Sequence, residues 1–386
     1  MMNDFDNINN ENNTSNIDVD SLKNGLINEA NSKQSKTKNK KIKKQKKSWS
    51  KKKKIVLTSL FSIFIVGACT GLILLYGPYD GFRDWLITTA MTTKDHQYLA
   101  TWFYDDETIQ KTLAKHRVIE SGENTNYDSL SVPDYNALSY ANEYERAILE
   151  KDKNQQYKLI SIKEDNFRGY LVAIYNPSKV KMVTTKKLGS SGQMLVDMAV
   201  DNNAVIAMNA NGFYDPGWNS TGGDPYGTVI SNNKIVWQGR KGKVGGGMVG
   251  FNSDNKLILN RLSGQDALNA GIRDGVQHGP FLIVNGKPSF IEGNGGWGTA
   301  PRTAIGQRED GIVLFLVIDG RQLGSVGASM VDLTRIMQNY GAINAVNMDG
   351  GTSSGLVIDG ELINKPVNGN GDTKTRPIPT AWILTD

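Results

Sequence analysis

Asp349 stands in MDGGTSS (348–354), where one carboxylate is followed by two glycines and three hydroxyl residues. Amides exposed in such a turn can make an anion nest at Gly350, Gly351 and Thr352, and a carboxylate at its edge can act on a proton or on the anomeric carbon of a sugar. The same residues also suit a plain Asp-Gly hairpin turn. Asn209 and Asn211 lie in NANGFYD (209–215). Asparagine amides both donate and accept, so they can hold sugar hydroxyls, and the glycine lets backbone approach a ligand. In APRTAIG (300–306) Arg302 stands beside Thr303 at the start of a strand, and Arg376 follows in TRP. A guanidinium fork matches a phosphate bidentately, although either arginine alone also fits a surface salt bridge. His278, just before GPFLIVNGK, suits a ligand contact or a satisfied structural histidine. Asp319, in FLVIDGR, is the second carboxylate placed at a strand end, and Asp349 with Asp319 is the expected catalytic pair.

Other chemistries fail on context. GGGMVG (245–250) satisfies G-x-G-x-x-G, but a strand-like segment follows it where a dinucleotide site needs a helix. The histidines His96, His116 and His278 are scattered, and no H-E-x-x-H or Walker A sequence occurs. Cys69 is the only cysteine, which removes a disulfide framework and thiolate metal sites together. NGNGD (368–372) is a polar turn with weak cation-binding character.

The elements that must position these residues come after a long leader. Of 386 residues with net charge +5, residues 1–54 hold 14 Lys against 6 Asp or Glu, a net +8, and the remainder carries −3. The basic character therefore belongs to one segment and is no nucleic-acid footprint. Residues 1–54 predict a disordered, Lys-rich cytoplasmic tail. Residues 55–76, IVLTSLFSIFIVGACTGLILLY, carry no charge and are long enough for a transmembrane helix, too long for the apolar core of a cleaved signal peptide. The lysines before the span place the N-terminus inside and everything after it outside. This describes a single-pass protein of the cell membrane with an extracellular catalytic domain.

Residues 77–165 predict an extracytoplasmic helical stalk, with Asp105 capping a helix that carries Ile109 and Leu113. From residue 166 to 386 the chain holds 35 of its 41 glycines, and hairpin signals recur at Asn232-Asn233, Asn285-Gly286, Asp310-Gly311 and Asp359-Gly360. Two helices are embedded near 192–202 and 329–340, the second with a Ser329/Asp332 capping box and a stop at Gly341. The segments 193–212 and 328–351 share the order Met, Val-Asp, apolar strand, then Asn and Asp/Asn-Gly, which reads as an internal duplication. Strand 312–318, helix 329–340 and strand 343–348 predict a βαβ unit with Asp319 and Asp349 at its strand ends. The fold class is α+β: a β-rich mixed-sheet domain with a few packed helices and a duplication, preceded by one transmembrane helix.

The order NANGFYD, GPFLIVNGK, PRTAIG, FLVIDGR, a capped helix, NMDGGTSS and TRPIPTAWIL resembles the phosphodiester glycosidase family over residues 166–386. That family includes the mammalian enzyme that removes N-acetylglucosamine from its phosphodiester on lysosomal enzymes. Bacterial relatives often carry an N-terminal anchor, and TTAMTTKDHQYLATWF (88–103) is similar to theirs. Many relatives have Gly-Gly-Phe-Phe where this chain has Ala210-Asn211-Gly212-Phe213-Tyr214. The resemblance implies hydrolysis of a sugar 1-phosphodiester, of the N-acetylglucosamine-1-phosphate type, in bacterial cell-envelope material or exopolysaccharide. A phosphate leaves readily, so neutralising it, by Arg302, Arg376 and the Gly350 and Gly351 amides, matters more than general-acid help. Two rival readings use the same residues. One is a non-catalytic glycan-binding module with Trp218, Trp237 and Trp297 as sugar platforms. The other is a cation-dependent phosphodiesterase with Asp319 and Asp349 as oxygen ligands for Mg or Ca. Partners are the carbohydrate phosphodiester and the membrane, with no nucleic acid; a homo-oligomer is compatible with the composition.

Overall fold

The computed structural model describes residues 50–93, 96–126, 128, 140–216, 220–239, 246–368 and 371–386. Most of the expected tail, with Trp218 and part of NGNGD, lies outside the described residues. The chain divides into two compact units, Met1–Cys69 and Thr70–Asp386. The helix Lys51–Tyr76, 26 residues, is long and apolar enough to cross a membrane. Its side chains from Ile55 to Val66 include nine large exposed apolar groups, such as Phe61 and Phe64, which water would not tolerate as a continuous stripe.

In the second unit three antiparallel sheets turn one face each toward a common core. A seven-stranded sheet holds Arg302–Arg308 between Val313–Ile318 and Ala342–Asn347. One five-stranded sheet holds Ala204–Asn209 between Leu356–Ile358 and Thr380–Thr385, and the other is centred on Ile272–His278. Strand alternation builds the core directly. Val313, Phe315 and Val317 enter the shared core, while Leu314, Leu316 and Ile318 face the opposite side. That opposite side is covered by the helix Met330–Asn339 through Met330, Leu333, Ile336 and Met337. The helices Leu195–Asp201 and Gly264–Asn269 cover the outer faces of the other two sheets through Leu195 and Met198 and through Ala267. The architecture is mixed α+β, as the sequence predicts.

Local signals fall where the sequence places them. Asn232-Asn233, Asn285-Gly286 and Asp359-Gly360 adopt positive φ at both residues between paired strands, as two-residue hairpins require. Asp310-Gly311 turns between Arg302–Arg308 and Val313–Ile318. Helix Met330–Asn339 begins with the Ser329/Asp332 capping box and is followed by Gly341 at φ +81. The predicted βαβ unit has an inserted neighbour: Arg302–Arg308 lies antiparallel between Val313–Ile318 and Ala342–Asn347, so those two strands are parallel without touching. Their carboxyl ends still emerge at one edge of the sheet. The two proposed repeats each form a helix followed by a strand, in different sheets.

Residues 77–165 do not form a separate stalk. The helix Asp80–Met91 docks on the segment around Trp297 through Trp85 Nε1 to Thr299 Oγ1 (3.2 Å) and Asn294 Nδ2 to Thr88 Oγ1 (2.6 Å). Arg117–Ile119 pairs with Phe290–Glu292, and Tyr157–Lys163 is an edge strand of the seven-stranded sheet. These attachments are mostly polar side-chain and backbone bonds, which leave no hydrophobic period in the sequence.

Candidate active site

Two strands from different sheets end side by side, and their junction sets Asp349. Asp349 N–H donates to Ala210 O (2.9 Å), and Met348 N–H to Thr303 O (2.8 Å). Asn209 Nδ2 donates to Asp349 O (2.7 Å) while its Oδ1 accepts from Thr303 Oγ1 (2.8 Å) and Gly355 N (3.0 Å). Asn211 Nδ2 donates to Tyr226 O (2.7 Å), and its Oδ1 accepts from Thr380 Oγ1. Asn209, Asn211 and Thr303 are buried and bonded within the protein. They position the Asp349 turn where the sequence suggested sugar contacts.

The Asp349 carboxylate is differently placed. Its Oδ2 is buried and accepts no hydrogen bond among the described residues, with Arg376 Nη2 standing 3.8 Å away. Unsatisfied buried oxygens are uncommon, and a reactive site is one of the few places where they are tolerated. Arg376 is itself fixed: Nη1 pairs with Asp215 Oδ2 at 2.8 Å, Nε donates to Ser353 Oγ at 2.9 Å, and Cζ lies 4.2 Å from the centre of the Phe213 ring. Asp215 is further held by the Ser220 N–H (2.7 Å). A second carboxylate, Asp215, the last residue of NANGFYD, is thus joined to Asp349 through Arg376 without lining the cavity itself.

His278 and Tyr226 close the other side. A Cβ added to Gly212 would lie 3.5 Å from Asp349 Oδ1, 3.5 Å from Tyr226 Cδ2 and 3.7 Å from His278 Nε2, so Gly212 keeps open the space these groups share. His278 Nδ1 lies 2.8 Å from the Gly279 N and 3.0 Å from its O. Burial lowers the His278 pKa against an opposing pull from Asp349. Burial, then Asp215, raises the Tyr226 hydroxyl. Both are thus held neutral beside a carboxylate.

A cavity of about 680 Å³ opens here, lined on its polar side by Asp349, Gly350, Gly351, Thr352, Arg302 and Arg376, with Arg321 beside them. Arg302 donates to Ala328 O (3.1 Å), Gly298 O (2.8 Å) and Trp297 O, all neutral carbonyls. Burial and the like charge of Arg321 push Arg302 down to about 9, so it remains a cation at neutral pH and gains from an arriving anion. The glycines have steric reasons. Gly351 sits at φ +63, and a Cβ on Gly350 would come within 2.9 Å of Pro301 O. Gly351 N–H donates to Pro301 O (2.9 Å), so it is not the anion-nest amide the sequence suggested.

Asp319 departs from expectation. It emerges at the same sheet edge as Asp349, but its Oδ1 accepts from Asn364 Nδ2 and Lys365 N, both at 2.9 Å, and it does not line the cavity. It fastens the 364–365 segment. Asp319→Ala is expected to cost about 1–3 kcal/mol of stability by stranding those donors while leaving kcat within about fivefold. Thermal melts and initial rates check this; a hundredfold loss of kcat at unchanged melting temperature would return Asp319 to catalysis. Among the described residues no three His, Cys, Asp or Glu side chains converge as a metal site. Asp215, Ser353, Tyr226 and Arg321 were not singled out in the sequence, although Asp215, Ser353 and Arg321 lie inside its motifs.

Residues 202–385 match the phosphodiester glycosidase family model. An uncharacterized SPbeta prophage-derived protein of Bacillus subtilis strain 168, YomE, is 31% identical over 185 residues, 46% of this chain and 28% of that protein. The chain thus spans just over a quarter of that relative's length. Among solved structures, the catalytic domain of zebrafish N-acetylglucosamine-1-phosphodiester alpha-N-acetylglucosaminidase, auto-inhibited by its pro-peptide, superposes with a TM-score of 0.51 at 20% identity, covering 61% of this chain and 86% of that one. The likeness is one of fold.

Proposed function

We propose that this chain, whose residues 202–385 form a phosphodiester glycosidase domain, hydrolyses a sugar 1-phosphodiester at its glycosidic bond. The observation that carries the reading is a carboxylate with an unbonded buried oxygen, Asp349, sharing one cavity with Arg302, Arg321 and Arg376. The arginines suit the two phosphate oxygens of a diester and, more strongly, the dianion that departs. Asp349 either attacks the anomeric carbon or takes a proton from the attacking water. The C1–O bond breaks with its electron pair on phosphate; water supplies the hydroxyl to C1 and its other proton goes to the phosphomonoester or to solvent. Arg376 ties Asp349 to Asp215.

The lysines before residue 55 support an inside N-terminus, an extracytoplasmic domain and a substrate in cell-envelope or exported polysaccharide. The zebrafish enzyme is named for N-acetylglucosamine on a 1-phosphodiester, so the same sugar is the first probe. Full-length protein in detergent is expected to release N-acetylglucosamine and a phosphomonoester from N-acetylglucosamine 1-(methyl phosphate). The rate should survive exhaustive chelation, because the cation facing Asp349 is a guanidinium. No release from any of a panel of sugar 1-phosphodiesters would overturn the reading; release abolished by chelation and restored by Mg or Ca would replace it with the cation-dependent one.

A further inference from the structure

We propose that the cavity beside Asp349 is built for a glycosyl phosphodiester whose second ester is a long apolar alcohol, a sugar phosphate carried on a lipid chain. The inference rests on the hydrolase reading and adds the group on the far side of the phosphate. The cavity has two unlike kinds of lining. Besides the arginines it includes Trp85, Leu86, Ala90, Leu99, Trp297 and Val326. The first four come from the segment that follows the apolar helix.

Threonines also belong to this lining, but their hydroxyls are occupied. Thr93 Oγ1 donates to Ala90 O (2.8 Å) and accepts from His96 N (3.1 Å). Thr92 Oγ1 donates to Thr89 O (3.0 Å), and Thr89 Oγ1 accepts from Thr299 N (3.2 Å). Thr299 Oγ1 accepts from Trp85 Nε1. With these bonds made inside the protein, this lining presents mainly methyl groups and ring faces, with the His96 imidazole and the Asn368 amide as polar groups among them. A second sugar or a glycerol there would lose water contacts with little to replace them; an alkyl chain would not.

The segment carrying this lining also has the marks of a bilayer surface. Tyr79, Trp85, Tyr98, Trp102 and Phe103 are exposed, Trp102 by 73%. Tyrosine and tryptophan are the residues that settle at the membrane–water boundary. The segment is tied to the end of the apolar helix, for Tyr104 Oη donates to Leu75 O (2.9 Å) and the Tyr76 and Tyr104 rings meet edge-on at 6.1 Å.

The test compares N-acetylglucosamine 1-(methyl phosphate) with N-acetylglucosamine 1-(decyl phosphate), using full-length protein in detergent. Each buried methylene multiplies kcat/KM by about fourfold, so burial of four or more gives the decyl ester an advantage of at least about 250-fold. Partitioning into micelles would favour the decyl ester for every variant alike. The decisive quantity is therefore the decyl-to-methyl ratio in Val326→Asn and Trp85→Ala, expected to fall about tenfold or more at unchanged melting temperature. A wild-type ratio near one, or a ratio that both variants leave unchanged, overturns the proposal while the hydrolase reading stands. If neither ester is cleaved, binding by calorimetry separates the two ideas: tighter decyl binding that Trp85→Ala abolishes supports the apolar subsite without the reaction, and equal binding overturns the proposal.

Discussion

Asp349→Ala is expected to lower kcat by about 10⁴-fold, with KM for the phosphodiester unchanged or lower. A nucleophile or base removed outright leaves only the electrostatic and positioning terms, and those survive here because the three arginines remain. KM should not rise, because the lost carboxylate repels an anionic substrate. The fold should be unaffected: Oδ2 accepts no hydrogen bond among the described residues, while the residue's backbone bonds to Ala210 and Asn209 are independent of its side chain. A melting temperature within a few degrees of the parent, together with tight substrate binding, would show that chemistry alone was lost. Asp349→Asn should be nearly as inactive, since an amide neither attacks C1 nor takes a proton at neutral pH. Proton NMR of the first-formed sugar anomer then assigns the role: retention marks Asp349 as nucleophile and inversion as base. Wild-type rates in Asp349→Ala would remove it from the mechanism.

The parts of this arrangement that the sequence exposes are those set within a few residues. Asn285-Gly286 and Asp359-Gly360 turn because left-handed backbone at adjacent positions needs such residues, whatever surrounds them. The turn at Asp349 is legible because Asp-Gly-Gly after an apolar strand ends that strand whatever the carboxylate does. Asn209 is misread for a reason of inventory: its amide can serve a sugar or a protein, and only burial beside Thr303 and Gly355 decides. Asp319 and Asp349 look alike, each before Gly after an apolar strand; what separates them is Asn364, some forty residues away in sequence. The 80–126 segment escapes because its contacts are threonine hydroxyls and a histidine, His116, wedged between Asp84 and the Asn294 N–H. None of these leaves a periodic trace.

Arg376→Ala carries the second large effect, about 10²–10³-fold in kcat/KM, the range for removing one preorganised group that meets developing charge. The loss should divide between kcat and KM, since the guanidinium faces the phosphate before and after it leaves. Its Nη1 and Nε are committed to Asp215 and Ser353 while Nη2 is directed at Asp349, and the plane rests on Phe213. A lysine offers one point charge and cannot meet those partners together, so Arg376→Lys should recover less than a tenth of the lost activity. Stability is also at stake. The Asp215 side chain is only 9% exposed, and removing its cation strands a carboxylate at a cost of about 3–5 kcal/mol. The double variant Arg376→Ala with Asp215→Asn separates the two consequences. It should regain most of the lost melting temperature, because the stranded charge is gone, yet stay inactive, because nothing replaces the guanidinium at Asp349 and the phosphate. Activity returning with stability would mean that Arg376 serves only to hold the fold, and the anion would then have to be met by Arg302 and Arg321 alone.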